Sequence, residues 1–349
     1  MPTDDDNFFL DENSVAQLRP EPRGFAPDRM VRCETCLRAN PPTRTTCLYC
    51  AAVLPVTAES AELRRPTLRP LEKWEKGFNS IVATDNTANI GAEGWTEIAS
   101  LLRLSSEDAR RIIESGEPLP LARPATLEEA SLIERRLEEL GLRTLTISDD
   151  ELAVAELPPK RVRALELTED ALVAWATGSG EQLRAAWDEI VLLVAGRIMV
   201  RQVEVQERRS RKAENEIIDT RELSSDNALL DIYTATAQGG WRIVAGSFDF
   251  SCLGEQKSLL VAQNFARLSE ELRARATRAA YDDSYARVRH ALSLVWPFEQ
   301  QTESRGLRRG GPGRLSTEVV TTSDNEQQFT RYSRLRYCLK SRRRTDADS

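Results

Sequence analysis

Four cysteines, Cys33, Cys36, Cys47 and Cys50, stand as C-x2-C-x10-C-x2-C in the stretch from Val31 to Pro55. Two close pairs on two short turns can present four thiolates at tetrahedral corners around one Zn2+, at about 2.3 Å each. Sulfur then fills every coordination position, so the expected ion is structural. A catalytic zinc keeps one position open and recruits His or carboxylate ligands. The chain has a single histidine, His290, which excludes two-histidine acid–base schemes and His-rich metal sites. Cys252, in Phe248-Asp-Phe-Ser-Cys-Leu, reads as a buried small hydrophobe. Cys338, in Arg336-Tyr-Cys-Leu-Lys340, has positive neighbours that could depress a thiol pKa, but it too reads as inert.

The familiar reactive signatures are missing: the sequence holds no phosphate loop, G-x-S-x-G elbow or dinucleotide fingerprint. Gly310-Gly-Pro-Gly313 follows Arg308 and Arg309, but no apolar helix follows to aim a dipole at phosphate, so a flexible linker is expected. Asp149-Asp150 and Asp282-Asp283 are adjacent in sequence and read as turn or surface acids. No catalytic residue and no small-molecule substrate are expected, and the chain reads as a non-enzyme.

The elements that must position the cysteines sit in a chain of 349 residues, long enough for two or three domains. No apolar run approaches the ~18 residues of a membrane span. The start, Met-Pro-Thr-Asp-Asp-Asp, is acidic and lacks the apolar core of a secretion signal. A cytoplasmic location is therefore expected, where paired cysteines stay reduced and hold metal. The formal net charge of -7 hides an asymmetry: residues 1–30 carry seven acids against Arg19, Arg23 and Arg29, whereas residues 301–349 carry eleven Arg or Lys against six acids.

Residues 1–30 lack periodicity and read as a disordered acidic tail. The ribbon spans 31–55 and a Pro-, Glu- and Arg-rich linker spans 56–72. In 73–150, Phe78 to Ala83 reads as a strand and Gly94 to Leu102 as an amphipathic helix. Ser105 and Thr126 each open a further helix with a hydroxyl cap and first-turn acids. Ala130, Ile133, Leu137 and Leu140 form one apolar stripe, Gly141 ends that helix, and Leu142 to Ile147 alternates as a strand. From Pro158 to about residue 300 the pattern is β-rich. Short strands are expected at 161–167, 171–176, 183–187, 229–234 and 241–245, with a long stretch at 190–205. Leu259 to Ala276 supplies an amphipathic helix, and Arg208 to Lys212 reads as a basic mobile loop. Residues 301–349 read as a flexible basic tail.

With Asn40, the ribbon becomes C-x2-C-x3-N-x6-C-x2-C and resembles the Ran-binding-protein type of zinc finger, a fold that binds single-stranded RNA or ubiquitin. The resemblance implies that Asn40 braces the knuckle loop. Val31 stands where RNA-reading members carry a base-stacking Trp, and Leu37-Arg38 where ubiquitin-binding members carry Thr-Phe. From Trp74 to Ser148, the order of elements resembles the C-terminal domain of the ribosomal stalk protein, a fold shared with the Clp protease adaptor. Glu107-Asp-Ala109-Arg110, Glu128-Glu-Ala130 and Leu137-Glu-Glu-Leu-Gly141 carry that resemblance. The stalk family's lysines on its first two helices are replaced by Glu93, Glu97, Arg103, Arg110 and Arg111. The β-rich segment closed by one helix resembles a bacterial pleckstrin-homology-like barrel.

The expected fold class is multi-domain α+β: a small zinc ribbon, a compact stalk-like α/β sandwich, and a β-rich pleckstrin-homology-like barrel with a C-terminal helix. The expected function is a zinc-binding adaptor that docks a protein partner and spans no membrane. The alternative is a nucleic-acid-binding protein using Arg32, Arg38 and Arg44 of the ribbon together with the basic tail.

Overall fold

The structure is a computed structural model that describes residues 25–55, 60, 68–72, 74–84, 90–209, 216–236, 239–311 and 314–347. Residues 1–24 of the expected acidic tail and 56–59 and 61–67 of the expected linker lie outside the described residues. The chain divides into two compact units, Met1–Pro66 and Thr67–Ser349. The first contains β1 (Val31–Arg32) and β2 (Ala39–Asn40), paired antiparallel with Val31 opposite Asn40. No helix among the described residues is long and apolar enough to cross a membrane.

The second unit is mixed α/β and opens with a three-stranded antiparallel sheet. β3 (Phe78–Val82) lies between β4 (Pro120–Ala122) and β5 (Thr144–Ser148). Its helices are α1 (Ala92–Leu102), α2 (Ser106–Ile113), α3 (Leu127–Glu139) and the short α4 (Asp149–Leu152). The hydroxyl of Ser105 accepts the Asp108 N–H at 3.0 Å, and that of Thr126 accepts the Glu129 N–H at 3.2 Å. Each satisfies a backbone donor that the first helical turn leaves without a partner. Trp95, Ile98 and Leu102 of α1, Ala109 and Ile112 of α2, and Ile133 and Leu137 of α3 are buried at the i, i+3, i+4 spacing that puts them on one face.

A curled nine-stranded sheet forms a half-barrel. Its strands are β6 (Lys160–Leu167), β7 (Ala171–Ala176), β8 (Gln182–Ala186), β9 (Ile190–Arg209), β10 (Glu216–Thr234), β11 (Trp241–Val244), β12 (Ala280–Asp282), β13 (Glu299–Gly311) and β14 (Arg314–Asp324). They run in the order β13-β14-β9-β10-β11-β6-β7-β8, with β12 added to β9. β9 uses one edge twice: Leu192–Val194 pair parallel with β12, and Val200–Arg209 pair antiparallel with β14. Where β9 passes under Phe329, a Cβ on Gly196 would come within 2.2 Å of the ring, so only glycine fits. α5 (Val261–Arg275) buries Leu268 and Leu272 among Leu193, Leu230, Ile232 and Ile243 of the sheet. α6 (Tyr285–Leu292) buries Tyr285, Val288 and Leu292, and leaves His290 exposed.

Several expectations are corrected here. The described part of 301–349, residues 301–311 and 314–347, is not a flexible tail: β13 and β14 form a hairpin, and α7 (Glu326–Ala347) buries Phe329, Tyr332 and Leu335 completely. These three recur every third residue, an apolar stripe that the surrounding arginines obscure. Gly310 and Gly311 lie in the strand β13, although 312–313 fall outside the described residues. Arg208 and Arg209 belong to β9, whereas 210–215 fall outside the described residues. The segments 73–150 and 158–300 do not form separate compact units, because one core joins Ile81, Trp95 and Ile147 to Leu192, Trp296 and Phe329. At the junction, the Trp296 indole donates to buried Asn79 at 2.9 Å, and Gln328 of α7 donates to the Trp296 carbonyl at 2.8 Å.

Of the two acidic pairs expected at turns or on the surface, Asp150 and Asp283 are exposed, whereas Asp149 and Asp282 are drawn inside. Asp149 accepts from Gly77 N–H, Asn79, Arg123 and Arg331. Burial pushes its carboxyl up, but the Arg123 hydrogen bond, the charge of Arg331 and the Asn79 hydrogen bond hold it below the usual range. Asp282, 5% exposed, accepts from the Tyr332 hydroxyl at 2.9 Å and pairs with Arg336. Five of the six arginines of α7 reach other elements: Arg331 on Asp149, Arg334 on the Leu152 carbonyl, Arg336 on Asp282 and Glu117, Arg342 on Glu151 and Arg343 on the Thr84 hydroxyl.

Candidate metal centre

Each cysteine pair closes a short loop with the same two backbone bonds. In the first, Leu37 N–H donates to the Cys33 carbonyl (2.9 Å) and Cys33 N–H to the Arg38 carbonyl (3.0 Å). In the second, Ala51 N–H donates to the Cys47 carbonyl (3.1 Å) and Cys47 N–H to the Ala52 carbonyl (2.7 Å). The residue after the second cysteine of each pair is left-handed, Leu37 at φ 60° and Ala51 at φ 58°. This turn lifts both sulfurs of a pair to one side, at a conformational cost that an L residue bears poorly.

The four sulfurs lie within 4.8 Å of one another and could hold a metal ion. Cys33 and Cys50 Sγ are 3.6 Å apart, and Cys36 and Cys47 Sγ are 3.5 Å apart. Metal–sulfur bonds of about 2.3 Å in a tetrahedron require sulfur–sulfur edges of about 3.8 Å, which these two pairs approach within tenths of an ångström. A disulfide at about 2.05 Å is far from this spacing, and all four cysteines are free. Cys33 and Cys47 are buried, Cys36 is half-buried and Cys50 is exposed.

Charge also favours an ion. Burial pushes the Cys47 thiol up, but the N–H groups of Tyr49 and Cys50, together with Cys36 and Asn40, bring it down to about 6. Cys33 is lowered mainly by the Cys36 N–H. For Cys50, the Ala52 N–H lowers the pKa, but burial and the neighbouring Cys36, Cys33 and Cys47 sulfurs push it to about 12. The first negative charge is therefore accommodated by backbone dipoles, and the last is opposed by the sulfurs around it. A cation at the centre removes that conflict.

Asn40 is fully buried and ties the two loops together. Its amide donates to the Arg38 carbonyl (2.9 Å) and to Cys47 Sγ (3.5 Å), while its oxygen accepts the Leu48 N–H (2.8 Å). We expect Asn40→Ala to weaken metal affinity by about 10–100-fold, since groups that orient a ligand from behind have effects of that size. Competition titration against a colorimetric chelator would measure it; an unchanged affinity would remove Asn40 from the site.

The three expected nucleic-acid contacts lie in the same ribbon, with Arg32 opposite Ala39, the neighbour of Arg38. Arg32 is exposed on β1, Arg38 stacks its guanidinium 4.7 Å from the Tyr49 ring centroid, and Arg44 donates to the Thr46 carbonyl at 3.2 Å. Sequence reasoning missed the apolar tips of the loops: Leu37 is 68% exposed, and Leu48, Tyr49 and Val53 are also exposed. Their signal was present in the residues immediately after Cys36 and Cys47, where large apolar side chains occupy positions with no room inside so small a core. The isolated thiols are not activated: burial pushes Cys252 up to about 11, and burial also raises Cys338 despite Arg334 and Arg342. No protein-family model matches the chain, and no curated protein or solved structure matches it either.

Proposed function

We propose that the protein is a non-enzymatic adaptor whose ribbon is held by one structural Zn2+ and docks a protein partner through its knuckle tips. The observation that carries this reading is the pairing of a closed four-sulfur set with exposed Leu37, Leu48 and Tyr49 on the same two loops. Thiolate donors in tetrahedral array suit zinc, and a full sulfur shell leaves no position for a substrate. Large apolar side chains left outside a module that is short of core are better explained by a partner that covers them. On the resemblances above, the β3–β5 sheet with α1–α3 acts as a stalk-like docking module and the curled sheet as a pleckstrin-homology-like one. The cytoplasm, where thiols stay reduced, is the compartment this proposal requires.

The test is cross-linking and co-purification of the full chain from the native host, comparing the parent with a Leu37→Asp/Tyr49→Asp variant that retains zinc. A discrete protein captured by the parent and lost from the variant is the expected result. Equal capture by both, or a turnover activity that survives replacement of all four ribbon cysteines, would contradict the proposal.

A further inference from the structure

An apolar cleft of about 340 Å3 opens beside the turn from α1 to α2, within the Thr67–Ser349 unit. Its buried lining is Leu102 of α1 with Leu121 and Ala122 of β4. Half-buried Leu68, Leu71, Leu104 and Val295 line it further out, and Leu294, 38% exposed, stands at the rim. The segment that carries Leu294, Val295 and Pro297 is pinned by Trp296, whose indole is bonded to Asn79. In all, ten apolar residues and three arginines line the cleft, with no acid among them.

Two of the three arginines are engaged elsewhere. Arg69 donates two bonds of 2.6 Å to Glu75, and Arg123 donates to Asp149 and to the Glu75 carbonyl, so each gives the cleft its aliphatic stem. The guanidinium of Arg103 is exposed and has no hydrogen-bond or ion-pair partner among the described residues. The backbone singles out the same place. Among the described residues five non-glycine residues are left-handed: Leu37 and Ala51 shape the metal knuckles, and Leu68 (φ 41°) and Arg103 (φ 54°) line this cleft. Arg103 is the C-cap of α1, a position that glycine fills without strain. Backbone strain of this kind gathers where a site requires a particular side chain.

We propose that the cleft binds a medium-chain carboxylate of about eight to ten carbons, its tail against the leucines and its head group on Arg103. Ligand cavities run from about 300 to 1,000 Å3, so this one takes a small ligand. At about 30 Å3 for each water-sized group it has room for about eleven such groups, which sets the chain length. A planar carboxylate matches one guanidinium through two parallel hydrogen bonds. With no acid in the lining, nothing there repels the head group, whereas a neutral alcohol of the same length would leave the charge of Arg103 unmatched.

The experiment is isothermal titration calorimetry of the full-length, zinc-loaded protein with sodium hexanoate, octanoate, decanoate and dodecanoate. Affinity should rise about fourfold for each methylene buried and level off beyond decanoate, where the cleft is full. Decanol, with the same tail and no charge, should bind about tenfold more weakly than decanoate. Arg103→Gln should remove that preference and leave decanol affinity within about twofold. Arg103→Gly should do the same with an unchanged or higher melting temperature, because glycine relieves the left-handed backbone. Leu71→Asp, which sets a carboxylate among the apolar walls, should abolish binding of both. Absence of saturable decanoate binding, an affinity independent of chain length, or a preference for decanoate that survives in both Arg103 variants would overturn the proposal. So would tighter binding of a peptide ending in leucine or of phosphatidylserine vesicles. The cleft and the ribbon share no residue, so capture by the Leu37→Asp/Tyr49→Asp variant decides the adaptor reading separately.

Discussion

Stripping the metal with a chelator, or replacing Cys47 with Ser, is expected to unfold residues 25–55 while the Thr67–Ser349 unit keeps its melting temperature. The ribbon's buried core consists of Val31, Cys33, Cys47 and Leu54, so two of its four members are themselves ligands. So small a core cannot offset the backbone entropy of about 1–2 kcal/mol for each ordered residue. The binding free energy of a structural zinc, about 10–16 kcal/mol at neutral pH in comparable modules, is in effect the folding energy. The compact unit from Thr67 onward has its own cores and no cysteine cluster among its described residues. Amide NMR spectra with and without chelator would show ribbon resonances collapsing to coil positions and the rest unmoved. Retention of dispersed ribbon resonances in the metal-free protein would contradict this.

Asp231→Ala should destabilise the second unit by about 3–5 kcal/mol, the loss expected when one partner of a buried ion pair is removed. Asp231 on β10 and Arg242 on β11 are register partners, joined by two hydrogen bonds of 2.7 and 2.8 Å. Their side chains are 0% and 2% exposed, so water cannot replace the lost carboxylate. Arg242 also donates to Thr330 (3.0 Å) and reaches Glu326 (3.3 Å), which fastens α7 to the sheet. Replacing both members, Asp231→Leu with Arg242→Met, should recover most of the loss, because no charge is then left buried and alone. Glu326 still has Arg161 at 2.5 Å in that double variant. Denaturant unfolding of the three proteins decides the point, and a double variant as unstable as Asp231→Ala would show that the packing, not the charge, is at stake.

What was legible in the sequence was local. The cysteine spacing specifies the two knuckles, and the hydroxyl-plus-acid signatures at Ser105 and Thr126 specify two helix starts, because each involves atoms within a few residues. What was not legible depends on distant partners. Asp149 and Asp282 read as surface acids since nothing nearby in sequence reveals Arg123, Arg331, Tyr332 or Arg336. The C-terminal helix was hidden by its charge: averaging over Arg331, Arg334 and Arg336 masks the stripe of Phe329, Tyr332 and Leu335, and those same arginines are needed to meet acids brought in from elsewhere. The long hairpin was truncated to two shorter strands because its outer half lacks dense apolar residues, and its pairing is set by backbone register with β14 instead. The bond from Trp296 to Asn79 spans 217 residues, which is why a boundary expected between two modules is a shared core.

The central claim is that Cys33, Cys36, Cys47 and Cys50 together hold one zinc ion. X-ray absorption at the zinc edge, on protein purified without added metal, tests it most directly. The account predicts one zinc per chain surrounded by four sulfurs at about 2.3 Å. A sample without zinc, a shell containing nitrogen or oxygen ligands, or sulfur–sulfur scattering at about 2.05 Å from disulfides would contradict it.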